Sequence, residues 1–152
     1  MRKKLDLKNV YKHHAGLLIM NLIKKTIIVF SFPIMVFVIH LLLLFFGFYT
    51  RYEWIDIPMH FLGGFSVLTS YLKLLNIFER KKLVGKIDKL ILFVFMISLI
   101  ALTAVLLEFG EFMIDLLFDA KTQIDVPDII GDLFFGVVGG ICGFLCFYRN
   151  KQ

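Results

Sequence analysis

Apolar residues along the chain fall into four long blocks separated by short polar stretches. Each block supplies the roughly 20 residues that a helix needs to cross the hydrocarbon of a bilayer. Backbone amides at that depth must be paired within a helix or a closed barrel. The pattern therefore predicts an all-α fold, a four-helix transmembrane bundle. The predicted spans are residues 26–49, 56–76, 90–118 and 125–148.

The segment before the first span mixes lysine and arginine with leucine and isoleucine, which is typical of a short interfacial helix. The predicted organisation is an interfacial segment over residues 1–25, a single four-span domain over 26–148 and a tail over 149–152. The first block is longer than the apolar region of a cleavable signal peptide, so we expect it to be retained.

Two residues inside the first span raise questions of packing. Pro33 frees a backbone carbonyl one turn earlier, which a membrane helix tolerates where a neighbouring helix supplies a donor. His40 can face a polar interior or bond to a backbone group, and the second arrangement is expected.

The distribution of charge sets the topology. Of the 17 Lys and Arg residues, seven lie before the first span, six between Lys73 and Lys89 and two in the tail, leaving Arg51 and Lys121 on the opposite side. The positive-inside rule then predicts a multi-pass protein of the cell membrane with both termini in the cytoplasm. The basic residues flank apolar blocks, where they contact anionic lipid headgroups. No nucleic-acid-binding motif accompanies them, so nucleic acid is not an expected partner.

Small and aromatic residues predict how the spans pack and end. The last span carries two overlapping G-x-x-x-G pairs, Gly136 with Gly140 and Gly139 with Gly143, and the second span carries Gly63 and Gly64. Such residues let membrane helices approach closely. The aromatic residues of the first outer turn predict an interfacial belt; they are Tyr49, Tyr52 and Trp54.

Acidic residues show the reverse asymmetry, because nine of the 12 fall in the outer loops or the outer halves of the spans. They recur at helical spacing, which puts them in stripes along single faces. Asp56 and His60 lie four positions apart on the second span. The other stripes are Glu108, Glu111 and Asp115 on the third span, and Asp125, Asp128 and Asp132 on the fourth.

Carboxylates at this depth are costly unless they face the bundle interior or a wet cavity. Several of them in one place cannot all stay ionised without compensation. Three arrangements satisfy this condition: a bound divalent metal ion, a hydrogen-bonded set of partly protonated acids, or a path for protons or cations. Oxygen ligands with one imidazole suit Mg²⁺, Mn²⁺, Ca²⁺ or Zn²⁺. The predicted metal ligands are Glu108, Glu111, Asp115, Asp125, Asp128, Asp132 and His60.

The order of these motifs resembles a known family. The chain has Asp56-x-x-x-His60-Phe61, then the acids of the third span, then Asp125-x-x-Asp128-x-x-x-Asp132-x-x-x-Gly136. This series resembles the VanZ-like small bacterial membrane proteins, and more closely their inner-membrane relatives, over about residues 52–143. VanZ proteins carry an arginine ahead of the last aspartates, where this chain reads Lys-Thr-Gln-Ile. The resemblance implies a four-span architecture and a residue set, without a reaction.

Three functions fit these observations. The first is a metal-dependent hydrolase that acts on a lipid or lipid-linked envelope substrate, in which His60 is a ligand or general acid/base and Asp56 orients it. The second is a non-enzymatic binding or structural protein. The third is a transporter coupled to cations or protons, for which four spans would have to form an oligomer. Membrane lipids are expected partners in all three.

Overall fold

The computed structural model describes residues 7–118 and 126–148, and within those ranges all the regular elements are helical. Four of the helices contain segments long and apolar enough to cross a membrane, which confirms the predicted all-α four-helix fold. The helices are α1 (Leu7–Phe45), α2 (Phe48–Arg51), α3 (Asp56–Arg80), α4 (Lys89–Phe118) and α5 (Val126–Tyr148), with a 3₁₀ turn at Glu53–Ile55 before α3.

Helix α1 is continuous where the sequence predicted a change from interfacial segment to span at residues 25 and 26. Its 39 residues correspond to about 58 Å, nearly twice the hydrocarbon thickness. The apolar part that can cross the bilayer is Ile23–Phe45. An interfacial position for the part before it stays a prediction. Helix α1 ends at Phe45, and Gly47 in the turn that follows has a positive φ of 67°, the left-handed conformation that glycine adopts at helix ends.

Helices α3 and α5 pack most closely, and glycine is the reason. A Cβ atom added to Gly64 would overlap the backbone of Gly136, and one added to Gly139 would overlap the backbone of Phe61. The backbones of the two helices therefore touch, which gains van der Waals contact where lipid supplies no hydrophobic driving force. This confirms the close packing predicted from the G-x-x-x-G pairs.

The half of the bundle away from the acids is filled by apolar side chains from α3, α4 and α5. Its buried members are Leu68, Leu75, Leu92, Met96, Ile100 and Phe144. Asp88 begins α4 by accepting hydrogen bonds from the backbone amides of Leu90 and Ile91, as an N-cap residue does.

The bundle has two chemically different ends. The start of α3, the end of α4 and the start of α5 meet at one end, where the carboxylates lie. The opposite end carries the basic connection between α3 and α4. The cytoplasmic orientation of that basic end stays a prediction from the positive-inside rule.

Candidate functional site

His60 lies at the centre of the acidic end, with carboxylates on both of its ring nitrogens. Its Nε2 is 3.3 Å from Asp56 Oδ1, one turn earlier on α3, and 3.6 Å from Asp132 Oδ1 on α5. Its Nδ1 is 3.9 Å from Glu108 Oε1 on α4. Three helices thus converge on one imidazole.

The glycine contact explains why these side chains meet. His60 lies one turn before Gly64 on α3, and Asp132 lies one turn before Gly136 on α5. Because the backbones touch at Gly64 and Gly136, the preceding turn of each helix is also close to the other. The imidazole and the carboxylate are consequently held together by backbone packing.

Two carboxylates of this cluster are buried. Glu108 and Asp132 are each only 6% exposed. Within the part of the chain that the structure describes, no buried side-chain nitrogen or oxygen is left without a partner. Carboxylates that approach so closely repel one another unless a proton or a cation lies among them. The cluster therefore has a built-in requirement for positive charge.

A second histidine extends the cluster. His40 of α1 has its Nε2 3.5 Å from Glu111 Oε1 of α4 and its Nδ1 2.7 Å from the Tyr49 hydroxyl. The rings of His40 and His60 meet edge to face, with centroids 6.3 Å apart. The two histidines thereby join α1 to the three helices around His60.

The hydrogen bond with Tyr49 bears on the tautomer of His40. Tyr49 lies in the short helix α2, and its hydroxyl can donate to Nδ1 of His40 or accept from it. An ionised Glu111 can only accept, so beside it the imidazole carries its proton on Nε2 and Nδ1 accepts from the Tyr49 hydroxyl. In that state His40 links Tyr49 to the Glu111 carboxylate.

Two sets of three residues bring ligand atoms close enough to share one metal ion. The first set is Asp56, His60 and Asp132, and the second is His60, Glu108 and Glu111; in each set the ligand atoms lie within 4.8 Å of one another. Both contain His60, whose Nε2 faces Asp56 and Asp132 and whose Nδ1 faces Glu108. A set of carboxylate oxygens and one imidazole fits the divalent ions expected from the sequence.

An apolar cavity of about 280 Å³ adjoins the cluster. It lies between α1 and α4, with α3 beneath it. His40, His60 and Glu111 form its polar end. The remaining lining is almost entirely apolar and includes Pro33, Ile34, Val36, Met59, Ala104 and Leu107.

A family model described as a predicted membrane protein (DUF2238) matches residues 12–152, nearly the whole chain. The chain belongs to this family. No curated protein and no solved structure matches it. Membership of DUF2238 agrees with the four candidate spans.

Five of the predicted site residues meet in this DUF2238 protein. They are Asp56, His60, Glu108, Glu111 and Asp132. The contact between Asp56 and His60 agrees with their predicted four-residue spacing. Asp115 and Asp128 belong to neither of the two sets of potential ligands, although both interact with other groups. Their role as metal ligands stays a prediction, and Asp125 lies outside the described residues.

His40 and Tyr49 were not expected in the site. The interpretation that His40 bonds to a backbone group is wrong, because both of its nitrogens face side chains. Tyr49 was assigned to the interfacial aromatic belt, but its hydroxyl is turned inward to His40. The nine-residue separation of the two rings crosses the turn at Gly47, so no helical spacing signals their contact.

Proposed function

We propose that this DUF2238 protein is a divalent-metal-dependent membrane hydrolase that acts on a lipid or a lipid-linked substrate. The observation that carries the proposal is that His60 belongs both to the carboxylate cluster and to the lining of the cavity. Its imidazole contacts carboxylates from three helices, and it also lines an apolar cavity within the membrane-spanning part of the protein. Metal-ligating groups are thus next to space that an apolar molecule can fill.

The cavity favours one of the two sets of potential ligands. His60 and Glu111 line the cavity, whereas Asp56 and Asp132 lie behind the imidazole. We therefore place the ion on Nδ1 of His60 with Glu108 and Glu111. Asp56 and Asp132 then accept the proton of Nε2 and keep the ring in the ligating tautomer, as carboxylates behind metal-bound histidines do.

The chemistry follows from these positions. A divalent ion held there would polarise a phosphoryl or carbonyl oxygen and lower the pKa of bound water. Tyr49 and His40 orient Glu111, and the apolar lining excludes bulk water. If the ion is held by carboxylates alone, His60 takes the role of general acid or base with Asp56 as its orienting partner.

The charge pattern supports a substrate from the outer leaflet. The basic residues cluster at the other end of the bundle, so the positive-inside rule puts the site toward the outer face. Lipid phosphates, lipid esters and lipid-linked envelope precursors are the substrate classes there. The resemblance of the motifs to VanZ-like proteins remains a prediction beside the DUF2238 assignment.

The first experiment measures the metal. The protein is purified in mild detergent, its metal content is determined, and its thermal unfolding is followed with chelator and with Mg²⁺, Mn²⁺, Ca²⁺ or Zn²⁺ added back. We expect one ion per chain, a lower unfolding temperature after chelation, and recovery with the native ion. Metal-dependent release of phosphate or fatty acid from lipid substrates then tests hydrolysis. An ion without turnover would reduce the proposal to metal binding.

A structural role for the cluster is the second candidate. It is favoured by the complete pairing of the buried polar side-chain atoms in residues 7–118 and 126–148. In that case shared protons hold the carboxylates together and no ion is needed. The same measurement separates the two functions, since a structural cluster predicts no bound ion and no change of unfolding temperature with chelator.

A further inference from the structure

We propose that the cavity between α1 and α4 takes up one apolar chain of a lipid sideways from the bilayer, while the lipid's polar head lies at His60 and Glu111. The placement of the head rests on the proposed function, whereas the uptake of the chain stands on the cavity itself. Neither the DUF2238 match nor the charge pattern assigns an occupant to this space.

The cavity is open on its membrane side. Ile34 and Phe37 of α1 and Leu107 of α4 all line it, yet they are 48%, 47% and 40% exposed. A residue that lines a cavity and is also widely exposed marks its mouth. These three residues lie inside candidate spans, so the mouth faces the surrounding lipid.

The inner wall of the cavity is closed. Val36, Met59 and Ile100 are buried, and Ser66 is completely inaccessible. Helices α3 and α5 touch behind it at Gly64 and Gly136. A molecule that enters between α1 and α4 therefore ends in a pocket and does not pass through the protein.

The two hydroxyl groups of the lining are already used within the protein. Ser66 donates to the Gly63 carbonyl at 2.9 Å, while Thr103 donates to the Leu99 carbonyl at 2.8 Å and is 2.7 Å from the Tyr71 hydroxyl. Ordered water needs two to four polar partners, which the apolar part of the cavity does not supply. A hydrocarbon chain needs none.

Size favours a single chain over a helix of another protein. A volume near 280 Å³ is about twice that of a cavity of roughly 150 Å³ that holds one benzene molecule, which is enough for a segment of one hydrocarbon chain. A helix with its side chains is about 10 Å across and does not fit such a space. The polar groups are confined to one end, which matches a molecule with one polar head and an apolar tail.

Gly63 allows the cavity to be filled without disturbing the helices. It lines the cavity, and a Cβ atom added there meets nothing within 4 Å. Gly63→Leu should therefore place its side chain where the lipid chain would lie. Gly110→Leu is the matched control, because an added Cβ there is equally free and Gly110 does not line the cavity. Ala104→Leu fills the same space from α4.

The probe is a phosphatidylglycerol with a photoreactive diazirine on one acyl chain, used in vesicles of phosphatidylethanolamine and phosphatidylglycerol that contain the full-length protein. After illumination, the labelled peptides are mapped by mass spectrometry. We expect labelling concentrated on the lining residues of α1 and α4. Gly63→Leu and Ala104→Leu should each reduce it severalfold, and Gly110→Leu should leave it unchanged.

Labelling spread evenly over the outer faces of α1 and α4, or equal in all four proteins, would overturn the proposal. Metal content is measured on the same preparations. Even labelling in an unmodified protein that binds the ion and hydrolyses lipid contradicts the chain site and leaves the proposed hydrolase standing. Cavity labelling in a protein without bound ion and without turnover contradicts the proposed hydrolase and leaves the chain site standing.

Discussion

The hydroxyl of Ser70 on α3 lies 2.8 Å from the carbonyl oxygen of Val29 on α1, at a buried position. Val29 is the residue four positions before Pro33, so its carbonyl has lost the amide that would pair with it in a regular helix. Ser70 supplies the missing donor from a different helix. The sequence predicted that a neighbouring helix would pair with the carbonyl freed by Pro33, and Ser70 of α3 is that neighbour.

Replacing Ser70 by alanine should leave the Val29 carbonyl unpaired and lower the free energy of unfolding by about 1–3 kcal/mol. Pro33→Ala restores an amide that can pair with Val29, so the cost of Ser70→Ala should shrink in that background. Thermal unfolding of the two single variants and the double variant measures this coupling. Equal costs of Ser70→Ala in both backgrounds would contradict it. Ser98→Ala is the control, because the exposed hydroxyl of Ser98 bonds only within its own helix.

Substitution by alanine should lower the stability at Gly64 and have little effect at its neighbour Gly63 on α3. Gly64→Ala forces a methyl group into the backbone of Gly136 and should cost about 1–3 kcal/mol or more, because the helices must separate. Gly63→Ala meets open space and should change the unfolding temperature little. Similar losses of stability in both variants would argue against the close approach of α3 and α5.

Tyr49→Phe removes the hydroxyl that bonds to Nδ1 of His40 and keeps the ring. The variant should lose about 1 kcal/mol of stability, the usual net contribution of one hydrogen bond. Under the proposed function it should also weaken metal binding, because Tyr49 no longer holds His40 in the tautomer that donates to Glu111. Titration of the metal-free protein measures the affinity. Tyr52→Phe, at an exposed position in the same turn, should bind the ion like the unmodified protein.

Glu108→Gln should remove the bound ion, since the buried carboxylate is one of the three proposed ligands. Metal content and the effect of chelator on thermal unfolding are the measurements. Glu53→Gln, at the exposed start of the second span, should keep the ion. Retention of the ion by Glu108→Gln would refute the proposed ligand set. Loss in Asp128→Asn would extend the set to the wider stripe predicted from the sequence.

The fold could be predicted from the sequence because a bilayer allows few solutions. Apolar blocks of sufficient length must be helices there, and the structure has four candidate spans within the predicted ranges or extending a few residues beyond them. The stripe from Glu108 to Glu111 and the pair Asp56 and His60 also follow from helical spacing. Spacing within one helix, however, does not say which turn of a stripe meets the neighbouring helix.

That limit explains which contacts of the site the sequence could not predict. Asp132 reaches His60 because the contact of Gly64 with Gly136 sets the relative height of α3 and α5. Asp128 is one turn earlier on α5 and is not in the same set of ligand atoms. The contact of His40 with Tyr49 depends on the turn at Gly47, which follows α1. These are relationships between helices, which periodicity along one helix does not encode.

The glycine contact separates the site residues into two groups by the helices that carry them. Asp56, His60 and Asp132 stand on α3 and α5, whose backbones are in contact. Glu108 and Glu111 stand on α4, which also lines the cavity. The proposed metal site and the mouth of the cavity therefore share this helix, so a shift of α4 would change the distance from Glu108 to His60 and the width of the mouth together.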